Sequence, residues 1–212
     1  MGQPKLLMPF AGRTVLDCVL GAWTSSLVDE IVVVVRADDE PLQDACRQWP
    51  VEVVCPPSDP PDMKASLCVG LDWISEVRSP SPSDGCFVGP CDLPEIRVST
   101  INHLVHAREG RAEGPLHDSR NDDGTDLIRT SSPSLVVPSF GGREGHPILF
   151  PWSETKAIFE LAQEEGLNRL LKELSTIAVE MPECERPRDI DTPAEYQAAT
   201  DRAAKRGRSE SS

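Results

Sequence analysis

Three charged side chains in this sequence have the type and setting for phosphate chemistry: Lys5, Asp92 and Asp191. Lys5 is the only charged side chain before Arg13. Gly2 and Pro4 bend the chain ahead of it, glycine by permitting positive φ and proline by fixing φ. A lysine at such a turn, beside the apolar run from Leu6 to Phe10, suits binding of a phosphate as a point charge. The plainer reading is a surface lysine in an N-terminal tail. Asp92 follows the strand-like run Gly85-Cys-Phe-Val-Gly-Pro90, and Pro94 shapes the turn beyond it. Asp191 stands just ahead of the last helical pattern. Two carboxylates on separate loops can share a hard cation such as Mg²⁺, which takes few protein oxygens together with substrate phosphates. The plainer reading is that each aspartate caps a helix or turn. His103 and His106 are spaced for one helix face, but no Cys or carboxylate completes a set at usual ligand spacing, and the pair is read as incidental.

The elements that must position these groups follow from apolar periodicity. Residues 14–25 read as a helix, with Val15, Leu16, Val19, Leu20 and Trp23 on one face and Thr14 placed to cap it. Glu30-Ile-Val-Val-Val-Val35 is a continuous β-branched run, the mark of a strand buried on both faces in a parallel sheet. A helix over 40–49 and a short strand over 51–55 follow, then a proline-rich loop over 56–61. A third helix is expected over 64–77, a buried strand over 85–90 and a fourth helix over 96–107. Residues 108–134 are polar and rich in Gly, Asp, Ser and Arg, which predicts a long flexible insertion without its own core. Strands are expected at 135–138 and 147–150 around a Gly-rich turn over 139–146. One or two helices fill 154–174, broken near Gly166, and a strand covers 176–180. The last helix is expected over 193–204, with Thr192 as its cap and Pro193 at its first position. A polar tail covers 201–212. Strands alternating with helices imply a three-layer α/β fold around a mostly parallel sheet, in one domain over residues 1–200. In such sheets ligands bind at the carboxyl ends of the strands, where Asp92 and Asp191 fall.

Composition bounds the function class. The chain has 212 residues, enough for one domain with a sizeable core, with 39% hydrophobic and 26% charged residues. A formal net charge of -14 argues against nonspecific binding to nucleic acid or to an anionic membrane. A polyphosphate site must therefore win locally, through a few cations, backbone N–H groups or a metal. No apolar run approaches the roughly 20 residues of a membrane span, and no signal peptide is evident. The 7 cysteines are scattered without a Cys-x-x-Cys, and several fall in apolar runs. They read as reduced, partly buried thiols of a cytoplasmic protein.

The motifs, taken together, resemble a known family. Gly2-x-Pro-Lys-Leu-Leu-x-Pro-Phe-x-Gly-Arg-Thr-Val-Leu16 is similar to the start of MobA-like nucleotidyltransferases, in particular the molybdenum cofactor cytidylyltransferase branch. Four further segments fit in the same order. Met63-Lys-Ala-Ser-Leu-Cys-Val-Gly-Leu71 resembles the family's Met-x-x-Ser-Leu-x-x-Gly-Leu helix start. Val88-Gly-Pro-Cys-Asp-Leu-Pro94 resembles its strand and Asp-x-Pro turn. Val137-Pro-x-Phe-x-Gly-Arg-x-Gly-His-Pro-Ile-Leu-Phe150 resembles the Gly-His-Pro segment of this branch, and Asp189-Ile-Asp-Thr-Pro-Ala-Glu-Tyr196 its closing motif.

The resemblance implies a Rossmann-like, GT-A-like nucleotidyltransferase fold. It implies transfer of a nucleoside monophosphate from CTP, or GTP, to the phosphate of a molybdopterin-type acceptor, with release of pyrophosphate. A molybdoenzyme downstream is a further implied partner. Under it Gly2 and Lys5 meet the triphosphate, Asp92 and Asp191 hold Mg²⁺, Ser66 and Leu67 line the nucleobase pocket, and Gly145 and His146 lie on the acceptor side. His146 either bonds an acceptor phosphate or fixes its hairpin.

The sequence also departs from the family. The family opens with a strand and a glycine-rich loop, roughly Leu-Ala-Ala-Gly-x-Ser-x-Arg-Met-Gly, and this chain starts at the Met-Gly of that loop. Neighbouring strands are then expected to expose edges. Either a longer reading frame supplies the loop, or the chain is an inactive relative that binds cofactor or aids molybdoenzyme maturation. A sugar-phosphate acceptor is a further alternative within the same fold. Asp62 stands where the family commonly has Gly, and Cys91 precedes the aspartate.

Overall fold

The computed structural model describes residues 4–111, 116–118, 134–162 and 165–209. Its first elements are local. β1 (Pro9–Phe10) and β2 (Arg13–Thr14) pair across Ala11 and Gly12, both at positive φ (49° and 79°), the hand that a two-residue hairpin requires. Thr14 then caps α1 (Val15–Thr24): its Oγ1 accepts from the Asp17 N–H, and the Asp17 carboxylate accepts from the Thr14 N–H, both at 3.0 Å. β3 (Val32–Val34) and β4 (Glu52–Val54) pair in parallel, joined through α2 (Glu40–Cys46). Asp62 caps α3 (Met63–Arg78), accepting from the Ala65 N–H at 2.7 Å.

Then come β5 (Gly85–Val88), α4 (Val98–Arg108), β6 (Leu116–Asp118), β7 (Leu135–Phe140), β8 (Arg143–Glu144) and β9 (Ile148–Pro151). α5 (Lys156–Glu160), α6 (Asn168–Glu173), β10 (Thr176–Met181) and α7 (Pro193–Ser209) complete the order, with single 3-10 turns at Lys5–Leu7, Trp152–Glu154 and Glu183–Glu185.

The larger sheet has the order β5-β9-β7-β10-β6, with β8 added to β7. β7 and β10 are parallel. β9 runs against both β5 and β7, and β6 runs against β10. Side chains obey the strand period of two. Leu135 and Val137 of β7, Ile148 and Phe150 of β9 and Ala178 of β10 face one core with Leu71, Ile158 and Leu170 from α3, α5 and α6. Val136, Leu149, Val179 and Met181 face the opposite core with Leu104 and Ala107 of α4. Helices therefore cover both faces, which is why Leu135–Pro138 and Ile148–Pro151 read as unbroken apolar runs.

The three-layer α/β architecture is as expected, and three details differ from the sequence reading. The sheet is mixed, because β9 returns through the tight Gly141–Gly142 turn and so must run against β7. Part of the expected insertion is a strand: β6 adds to β10 as an edge, and the rest of residues 112–133 lies outside the described residues. The expected polar tail is helical as far as Ser209. Ala199 and Ala203 pack against Phe10, Val15 and Ile190, and Arg202 donates to the buried Glu95 carboxylate at 3.1 Å, so part of the expected tail is anchored to the rest of the fold.

The smaller sheet, β3 with β4, is separate. Among the described residues, β3 pairs with β4 alone and β5 with β9 alone, so each carries one open edge. Two helices bridge the pieces. Leu16 and Leu20 of α1 pack with Val33 and Val35, while Trp23 meets Phe87 edge-on, 5.3 Å between ring centres. On the other side α3 brings Gly70 so close to Val34 that a Cβ there would stand 3.2 Å from its Cγ2. The cysteines follow their surroundings: burial pushes the Cys86 thiol up to about 12 and, with nearby negative groups, Cys46 up to about 11, so both behave as small hydrophobes.

Candidate active site

Lys5, Asp92 and Asp191 meet, although 186 residues separate the first from the last. The Lys5 ammonium donates to Asp92 Oδ2 at 2.7 Å and to Asp191 Oδ1 at 2.6 Å. Each group is aimed by an apolar neighbour. Lys5 opens a 3-10 turn that Leu6 and Leu7 pin into the core around Leu16, Leu20 and Val33. Asp92 lies in the turn leaving β5, between Cys91, which packs on that same core, and the buried Leu93. Asp191 follows Ile190, which is fully buried against Phe10, Val15 and Ala199.

The capping alternative for Asp191 is filled by its neighbour. Thr192 Oγ1 accepts from the Glu195 N–H at 3.2 Å, and the Glu195 carboxylate accepts from the Thr192 N–H at 2.8 Å. The Asp191 carboxylate is thereby left to Lys5. Burial lowers the Lys5 pKa, but hydrogen bonds and charge from Asp191 and Asp92 outweigh it, and the net shift is upward. Beside the pair, burial and the Asp92 charge push the Cys91 thiol up to about 11, which keeps it protonated and inert.

The donor set suits a hard divalent cation. Two carboxylate oxygens from different loops already share one cationic atom, so a single ion can bridge them. Among the described residues no three or more His, Cys, Asp or Glu converge as a closed metal cage. An open two-carboxylate site is the arrangement that leaves room for water and phosphate oxygens around the ion.

A cavity of about 440 Å³ begins one residue beyond Asp92, lined by Leu93, Gly145, His146, Lys172, Arg186 and Asp189 among others. The Gly145 N–H donates to the Pro138 carbonyl at 2.9 Å, and a Cβ at Gly145 would stand 3.2 Å from the Phe140 ring, so this backbone is held tightly. Burial lowers the His146 pKa against the opposing pull of Asp189 and Asp92, which favours the neutral ring. Its Nδ1 is buried with no hydrogen-bond partner among the described residues. Such an atom is under-satisfied as the structure stands.

Of the other expected site residues, Ser66 and Leu67 lie in the first turns of α3, where the Ser66 N–H donates to the Asp62 carbonyl at 3.1 Å and Leu67 packs against the larger core. Gly2 lies outside the described residues. Arg186 was not anticipated. It lines this cavity and an adjoining one of about 510 Å³ that also holds Arg143, Arg188 and Arg202. Arg143 is paired with Glu183 and Arg202 with Glu95, whereas Arg186 has no ion-pair partner among the described residues. In a chain of net charge -14 an arginine so placed is notable, but its loop carries no periodic signal that would single it out.

Comparison with known proteins identifies the family and the fold. The purine catabolism protein PucB of Bacillus subtilis is 29% identical over 210 residues, covering 92% of this chain and 87% of that protein. Among solved structures, Rv0371c of Mycobacterium tuberculosis in complex with manganese superposes with a TM-score of 0.70 at 18% identity, covering 94% of this chain and 93% of that one. A nucleotidyl transferase from Methanothermobacter gives a TM-score of 0.68 at 22% identity, covering 95% and 85%. The model of the MobA-like NTP transferase domain matches residues 1–178, and the chain accordingly belongs to the MobA-like NTP transferase family.

Proposed function

We propose that this protein transfers a nucleoside monophosphate from an NTP, with CTP favoured, to the phosphate of a molybdopterin-type acceptor and releases pyrophosphate. The observation that carries the reading is the meeting of Lys5, Asp92 and Asp191 beside the His146 cavity. Asp92 and Asp191 would hold Mg²⁺, which when bound supplies charge stabilisation to the phosphates. Lys5 neutralises the β- and γ-phosphates as they leave. Ser66 and Leu67, on the rigid start of α3, face the nucleobase, with the Asp62 carboxylate committed to capping that helix. The cavity holds the acceptor: His146 lies against it, and Arg186 and Lys172 draw its anionic groups. The acceptor phosphate oxygen attacks the α-phosphorus, the bond to the pyrophosphate oxygen breaks, and no covalent protein intermediate is needed. Catalysis is positioning and electrostatics.

Among the described residues no helix is long and apolar enough to cross a membrane. The test is calorimetric titration of CTP and of GTP, each with Mg²⁺, followed by a pyrophosphate-release assay with molybdopterin cofactor. Mg²⁺-dependent CTP binding and acceptor-dependent pyrophosphate release are expected. Nucleotide binding without Mg²⁺ dependence, or release that ignores the acceptor, would overturn the reading.

A further inference from the structure

Resting on that reading of the site, we propose that Lys5 occupies the cation position between Asp92 and Asp191 in the nucleotide-free protein. It is then handed over to the triphosphate when nucleotide binds. The divalent cation therefore enters with the nucleotide and binds poorly ahead of it.

One ammonium lies at 2.7 and 2.6 Å from the two carboxylates that the divalent ion would need. An ammonium and a divalent cation cannot share the gap between the same two oxygens, since both are cations and both need the same lone pairs. A metal arriving alone must break both ion pairs and leave Lys5 without a partner. A metal arriving with a triphosphate also breaks them, but the phosphate oxygens then receive the ammonium. Lys5 thus couples the two ligands: each makes room for the other, and the coupling is reciprocal.

The site permits the exchange. The backbone of Lys5 is fixed by Leu6 and Leu7, while its four-carbon stem is flexible. The side chains of Lys5, Asp92 and Asp191 keep 26%, 28% and 68% of their surface exposed, so ions reach them without any opening of the fold. Leu93, the residue after Asp92, lines the neighbouring cavity.

The experiment uses Mn²⁺ as probe, titrated into the intact 212-residue protein and followed by its electron paramagnetic resonance signal. In the absence of nucleotide, Lys5→Met is expected to bind Mn²⁺ at least about tenfold more tightly than the natural sequence, about 1.4 kcal/mol. Adding CTP should tighten Mn²⁺ binding in the natural protein and do so far less in Lys5→Met. Lys5→Gln, which keeps a polar head between the carboxylates, decides the matter if Lys5→Met does not fold. Equal or weaker Mn²⁺ binding by the Lys5 variants, with binding still abolished by Asp92→Asn, would overturn the exchange and leave the metal site standing. Mn²⁺ binding that ignores Asp92→Asn would overturn the exchange together with the assignment of the site.

Discussion

The two halves of the site are built in opposite ways. On one side Lys5, Asp92 and Asp191 satisfy one another through two short ion pairs. On the other, the His146 cavity holds groups that are not fully used: an orphaned imidazole nitrogen and an arginine without a counter-charge among the described residues. The first half is complete before any ligand arrives and must be opened to work. The second is incomplete and works by being filled. Mutations should therefore separate them: changes in the first half act on metal, nucleotide and rate, and changes in the second on the acceptor.

The largest effect is expected from Asp92→Ala, which removes the carboxylate to which the proposed function gives a metal-holding role. Pyrophosphate release should fall by about 10²–10³-fold or more with the fold intact by circular dichroism. Undiminished turnover would dissolve the distinction between the halves. Next comes Ile190→Ala. Ile190 is fully buried and carries Asp191, so denaturant unfolding should show a loss of about 2–5 kcal/mol. Binding of Mg²⁺ with CTP should weaken in the same variant while acceptor binding is spared.

Arg186→Gln probes the other half. Loss of a charge-assisted contact should raise KM for the acceptor about tenfold and leave CTP affinity unchanged. A matching loss of CTP affinity would place Arg186 in the first half. The smallest effect is a pH dependence. His146 has its pKa lowered by burial, below its ordinary value of 6.5, so the unfolded chain binds its proton more readily than the folded one. Its contribution to stability is complete above pH 6.5 and falls as the pH drops through that value. Between pH 7.5 and 5.5, Tm should therefore decline less in His146→Gln than in the natural protein. An equal decline would mean that the ring is not held neutral by the cavity.

Much of this was legible in the sequence, for identifiable reasons. The helix after Thr14 was readable because its cap, its apolar face and its flanking turn all agree. The buried strands around Val33 and Val136 were readable because both faces are covered, so every residue is apolar. The chemistry of Lys5, Asp92 and Asp191 was suggested by residue type and by position at strand and helix ends, and the two aspartates were expected to share a cation, but the Lys5 ammonium between them was not, since no local pattern encodes a contact across 186 residues. β6 and β8 were missed because short edge strands carry no period. The end of α7 beyond residue 204 was under-read because its polar residues carry no apolar period, while the helix that leads into it is anchored by Ala199, Ala203 and Arg202 through partners far back in the chain. Arg186 was invisible for a related reason: an arginine in an irregular loop is ordinary until the cavity beside it is known.

The seating of α7 has a consequence for how the protein comes into being. Ile190 just ahead of it and its own Tyr196 and Ala199 close onto Phe10, Met8 and Val15, and the Tyr196 hydroxyl donates to the Pro9 carbonyl. Contacts that span almost the whole chain are the slowest to form, because the intervening loop must be closed before they reward it. During synthesis the chain cannot complete this clasp until its final helix has left the ribosome. The Lys5–Asp191 ion pair belongs to the same clasp. In refolding, recovery of metal-dependent nucleotide binding should therefore lag behind recovery of the helical signal, which makes the active site the last part of the molecule to mature.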